Sequence, residues 1–298
     1  MIWRCLLAGG RAARSFWSLA VLLYLGNLLV MAGVVWILAW ILSQSADSSL
    51  GLASLVSGYN ATVFSDLAQQ GISYGRMVMG GFLVAAPLGV ILTTTLSGGT
   101  IAVLAARQSR WSFWTFLAAS IAYAGRFLRL LLLGMLLLLA LGAAIVLILI
   151  ALLAVAGWVP ETEKEVLEIV GAGAGSLLFF AIVVWTALDY ARLWMVHSEA
   201  RSSRQALMKA FRFIGTHPVA AGAIQLAGIT MVVLVAGAQL LFGIPWKMGT
   251  LEGVLAVVLV HQGAVLLRTG IRLGMIASQL TLVTGLTPPI EARTETSG

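Results

Sequence analysis

Of the 298 residues, 60% are hydrophobic and only 10% are charged, against about 25% charged in an average soluble domain. A chain of that composition cannot cover a surface that faces water, and its apolar residues come in unbroken blocks of about 20, the length that crosses a bilayer. A disordered chain, a disulfide scaffold (Cys5 is the one cysteine) and a soluble nucleic-acid binder are excluded. What remains is an all-α polytopic bundle, since the short alternating strands of a closed barrel are missing.

The chain opens on a basic, amphipathic stretch, CLLAGGRAARSF at 5–16, of the kind that lies in a membrane interface with its basic side toward anionic lipid. An apolar run at 16–42 follows, too long for the 7–15-residue core of a signal peptide, and it reads as a retained first span. Residues 43–75 form a polar outer loop with Leu50, Leu52, Leu55, Val56, Val63, Phe64 and Leu67 at helix-like intervals. Its Asn60-Ala61-Thr62 matches the glycosylation acceptor pattern only in its three residues.

The second span covers 77–96 and continues toward 106, with Pro87 inside it and Thr93, Thr94 and Thr95 beyond. A second basic stretch, WSFWTFLAASIAYAGRFLRL at 111–130, feeds the third span at 130–157. The fourth span, 169–188, opens on Gly171-Ala172-Gly173-Ala174-Gly175. A third basic stretch, SRQALMKAFRFIGTHP at 203–218, precedes the fifth span at 218–242, and the sixth covers 253–272. The pattern reads as one integral membrane domain of three two-span hairpin units, 1–106, 107–188 and 189–284, with a short polar cytoplasmic tail at 285–298.

Charge orients these spans. The segments 43–75, 159–168 and 243–252 hold two lysines, Lys164 and Lys247, against seven acids, and Arg76 is the one arginine on their side. Fifteen of the eighteen basic residues lie on the other side, so both termini are expected in the cytoplasm. The ten tryptophans fall near the span ends, as interfacial indoles do. The net charge of +7 is thus explained by orientation and anionic headgroups, with no nucleic-acid partner.

Several residues stand out against the apolar background. Arg126, Arg129, Arg204, Arg212, Arg268 and Arg272 are candidate contacts for lipid headgroups or a protein partner. Arg268 and Arg272 are interleaved with Gly270 and Gly274, a G-x-x-x-G that lets helices approach closely. Asp189 and Arg192, spaced i, i+3, form either a gating pair or a structural pair at a helix end. Asn27, His261 and Gln262 form a candidate intramembrane polar cluster. His261 and Gln262, near mid-span, each need a partner such as Asn27, Gln225 or Gln239. They serve either a relay or an interhelical bond. The three histidines lack ligand spacing, so no metal, haem or other cofactor is expected.

No G-x-S-x-G, H-E-x-x-H or Walker loop occurs, and no enzyme is expected. The segment DYARLWMVHSEARSSRQALMKAFRFIGTHP, 189–218, resembles bacterial six-span inner-membrane proteins. In outline the arrangement is similar to the membrane domain that precedes some glycerophosphodiester phosphodiesterases. With no hydrolase segment in these 298 residues, the resemblance implies a membrane module and an inner-membrane location. The leading expectation is a non-enzymatic scaffold, complex subunit or lipid-organising module. Its partners would be the bilayer, a membrane protein or a second copy. The alternatives are a small-solute or ion transporter with a path near Asn27, His261 and Gln262, and a lipid-headgroup enzyme.

Overall fold

The computed structural model describes residues 1–46, 72–106, 111–156, 162–198, 202–243 and 251–286. The outer-loop features expected at 47–71, Asn60 among them, lie outside the described residues, as does the polar tail beyond 286. The described residues form eight helices and no strands: α1 (Ile2–Ser15), α2 (Trp17–Ala46), α3 (Ile72–Ala105), α4 (Phe113–Ala156), α5 (Glu163–His197), α6 (Ser203–Thr216), α7 (Pro218–Gly243) and α8 (Leu251–Leu286). Among the described residues, five helices are individually long and apolar enough to cross a membrane. The count is six if α1 and the first part of α2, bent by 71° at Phe16, make one broken span.

Local chemistry accounts for several boundaries. Thr162 caps α5: its extended backbone lets the hydroxyl accept from the Glu165 amide at 3.3 Å, and Glu163 and Glu165 place negative charge at the helix's positive end. Pro218 opens α7, where a missing N–H costs no helical bond. Pro87 is carried inside α3. A turn further on, the Thr93 hydroxyl donates to the Gly89 carbonyl at 2.8 Å, and Thr95 donates to that of Ile91 at 2.9 Å.

Two expectations change. The basic stretch at 111–130 is not a separate helix: α4 runs unbroken for 44 residues, about 66 Å or twice the hydrocarbon thickness. No proline interrupts it, and a continuous run of leucines carries the helix through. The sixth span does not stop at Arg272 either, because α8 continues in apolar residues to Leu286.

The chain divides into two compact units. The first comprises Met1–Ile2, Ser97–Gln225 and Gln279–Gly298, and the second Trp3–Leu96 and Leu226–Ser278. In the first, α4 and α5 form an antiparallel pair: Gly134 lies against Leu188, Gly142 against Leu177 and Gly173 against Leu149. Their packing is confined to one end, where Phe116, Phe127 and Leu130 of α4 are buried with Tyr190, Leu193 and Met195 of α5 and with Ala206, Ala210 and Phe213 of α6. Toward the other end no residue of α5 before Val184 is buried, and side chains such as Val155, 88% exposed, stand clear of the protein. A helix that bare and that apolar is stable in hydrocarbon, where its backbone is satisfied internally, and not in water.

In the second unit α1 lies against α8 through small residues. A Cβ on Gly9 would overlap the Ser278 hydroxyl and the Gly274 carbonyl, Ala13 Cβ comes within 3.5 Å of the position a Gly274 Cβ would take, and Trp17 covers Gly270. Cys5 is buried beside Gly9 on the same face of α1, and burial pushes its thiol above the ordinary range. Along α7 and α8, Met275 fills the space where a Gly228 side chain would stand.

Two predictions follow from these close approaches. Gly99→Ala, whose Cβ would meet the Phe116 carbonyl at 2.5 Å, should destabilise the detergent-solubilised protein by about 1–3 kcal/mol. Gly171→Ala, facing open space among the described residues, should leave thermal unfolding unchanged or raise it. Cys5 should react slowly with a maleimide in the native protein, and Gly9→Leu, which lifts α1 from α8, should speed that reaction about tenfold or more.

Candidate functional site

Polar side chains inside the second unit meet across helices. Tyr24 of α2 donates to Gln262 Oε1 of α8 at 2.9 Å. Asn27 lies one turn beyond Tyr24 on α2. On α7, Gln239 bonds in two directions: its Nε2 meets His261 Nδ1, and its Oε1 accepts from Arg268 Nη2 at 2.8 Å. His261 and Gln262 therefore do not share one cluster with Asn27; adjacent on α8, they reach α7 and α2 respectively. Gln239 proves to be the partner of His261, whereas Gln225 accepts from Gln279 Nε2 at 3.2 Å within the first unit.

The depth of these groups differs from expectation. Gly228 against Met275, with Gln239 between His261 and Arg268, sets α7 and α8 antiparallel. Counting along both helices places Arg272 about level with Met231, the middle of α7, and Arg268 about level with Val235. His261 falls about level with Phe242, near the end of α7. The expected order is thus reversed: the arginines lie within the length of α7 and the histidine toward its end. Charges ordinarily close a span, so a boundary at Arg272 was the natural reading; the 14 further helical residues are what moves it.

Beside this polar line lies an open groove of about 420 Å³ between α7 and α8, walled by apolar side chains with Gln239 as its one polar lining residue. Arg268 Nε is buried, with no hydrogen-bond partner among the described residues, and Arg272 is exposed one turn further along the same face.

In the first unit Asp189 and Arg192 form an ion pair, Oδ1 to Nη1 at 3.0 Å, with side chains 20% and 5% exposed. It sits in the packed end of α5, beside aromatic residues: Phe213 of α6 lies with its ring 5.3 Å from that of Tyr190 and 5.1 Å from that of His217. Lys209 Nζ stands 6.0 Å from the Trp194 ring, a cation–π contact at the α5–α6 seam that spacing alone could not reveal. Ser203, at the start of α6, donates to the Arg126 carbonyl at 3.2 Å.

The basic residues are mostly exposed. Arg4, Arg11 and Arg14 face outward from α1, opposite Cys5 and Gly9. Arg204, Lys209 and Arg212 do the same on α6, opposite Ala206, Ala210 and Phe213. On α4 Arg129 is exposed, while Arg126 is half-buried with its guanidinium 5.8 Å from the Tyr123 ring. Among the described residues no three His, Cys, Asp or Glu side chains come together as a metal site. No family model, curated protein or solved structure matches the chain.

The ion pair gives a direct test of what holds α5. Asp189→Leu leaves Arg192 charged and buried without that carboxylate, and should cost about 3 kcal/mol of stability in detergent. The double variant Asp189→Leu/Arg192→Met removes both charges and should recover most of the loss, read by thermal unfolding.

Proposed function

We propose that this is a non-enzymatic membrane protein, a scaffold or complex subunit that organises lipid at its cytoplasmic surface. The observation that carries the reading is the outward basic face of α1 and of α6, each followed immediately by an apolar helix. A short helix with one small, packed face and one basic face, joined to a span by a break, is suited to lie along a headgroup layer. Each Lys or Arg held near an anionic surface contributes about 1 kcal/mol of attraction. In this reading both termini are cytoplasmic, the membrane is a bacterial inner membrane, and Arg129 adds to the same charged layer.

The alternative, a small-solute or ion transporter, draws support from the Arg268–Gln239–His261 line, since ionisable groups at membrane depth are expensive and commonly functional. Proton-dependent flux in liposomes that disappears in His261→Ala would promote it.

The lipid reading is tested with the full chain in mixed vesicles and spin-labelled phosphatidylglycerol or phosphatidylcholine. The wild type should select the anionic lipid several-fold, and 1 M salt should weaken that selection. Replacing Arg4, Arg11, Arg14, Arg204, Lys209 and Arg212 by Gln should remove most of the selectivity and leave helicity unchanged. Equal selectivity in the two proteins contradicts the proposal.

A further inference from the structure

Arg268 and Arg272 are cations with no carboxylate nearby. The described residues of the second unit contain a single acid, Glu252 at the start of α8, which is 16 residues or about 24 Å along the helix from Arg268. Arg268 uses one donor on Gln239 and keeps a buried Nε unmatched; Arg272 is exposed at the depth of the middle of α7. Arginines at such depth pair with an opposite charge or face a polar cavity. Here the neighbouring space is the apolar groove, lined by Met231, Leu234 and Ala238 of α7 and by Ala264, Leu267 and Ile271 of α8. On each helix its lining spans 11 residues, about 16 Å or three turns, and both sets recur at the i, i+3, i+4, i+7 spacing that receives the ridge of a third helix.

We infer that this groove receives a transmembrane helix of another protein, one bearing a carboxylate at mid-span that pairs with Arg268 and Arg272. Charge complementarity chooses this occupant. A phospholipid would fill the groove with its acyl chain, but its phosphate stays at the bilayer surface, and Arg272 is level with a point 13 residues, about 20 Å, from the Pro218 end of α7. A second copy of this chain brings no suitable acid from the described residues: Asp189 is the one carboxylate away from a helix start, and it is held by Arg192. The small residues Gly263 and Ala264 on the groove wall allow a close approach. The inference rests on the complex-subunit reading and is independent of the lipid contacts of α1 and α6.

The test uses the full chain, donor-labelled, in phosphatidylcholine vesicles, with acceptor-labelled polyleucine helices of about 21 residues carrying a central Glu or a central Gln. Energy transfer should report association of the Glu helix about tenfold tighter than the Gln helix. Arg268→Leu/Arg272→Leu should abolish that difference, while Arg268→Lys/Arg272→Lys should retain much of it; circular dichroism and thermal unfolding check that each variant is folded. Equal binding of the two peptides overturns the inference, as does a Glu preference that survives the double leucine variant. Displacement of the Glu helix by added phosphatidylglycerol in the wild type, absent from the leucine variant, also overturns it and assigns the groove to lipid. Loss of lipid selectivity in the α1 and α6 variant, with the Glu preference intact, separates the two proposals.

Discussion

The structure depends on the close approach of helices at glycine. In lipid an apolar side chain gains nothing by leaving its solvent for another helix, so association rests on contact at short range. Gly9 against Gly274, Gly99 against Phe116, Gly134 against Leu188 and Gly228 against Met275 provide that contact at four separate seams. Around them the side chains interlock; away from them, as along α4 beyond Gly134, the helix surface is left to its surroundings. This explains how a protein with so little buried surface in its apolar runs still has two compact units.

On that frame the polar residues act as cross-links. Tyr24 with Gln262 ties α2 to α8, Gln239 with His261 and Arg268 ties α7 to α8, and Gln279 with Gln225 repeats the device in the first unit. Each bond is modest, but an unpaired amide in hydrocarbon is costly, so together they oppose rotation of the helices about their axes. The Asp189–Arg192 pair does the same work within α5, neutralising two charges at the most crowded part of the first unit. Arg268 departs from this pattern: it is bonded yet retains an unmatched buried donor, facing a groove that nothing in its unit fills.

Composition and apolar run length were sufficient to read the helical class and most helix positions. The spans at 218–242 and 130–157 appear nearly at the drawn limits because Pro218 and the Leu-rich run leave little choice. The amphipathic character of α1 and α6 was legible too, since arginines and small residues alternate there at helical spacing. Two things were not legible. Continuity of α4 through Leu130 depends on the absence of a breaker, which a charge-based boundary overrides. The depth of Arg268, Arg272 and His261 depends on the register between α7 and α8, set by Gly228 and Met275, and a single sequence carries no pairing information of that kind. Polar residues could be recognised as needing partners; which of Asn27, Gln225 and Gln239 served His261 could not.

That register is the claim on which the groove, the arginine depths and the interpretation of α8 all stand. The most direct test is site-directed spin labelling in a Cys5→Ser background, with one nitroxide at Met231, Ile271 or His261 and depth read from relative accessibility to oxygen and to a water-soluble nickel complex. The account expects labels at Met231 and Ile271 to be equally deep and the label at His261 to lie closer to a surface. A label at Ile271 as shallow as one at Leu286 would contradict it, and would restore a span that ends at Arg272.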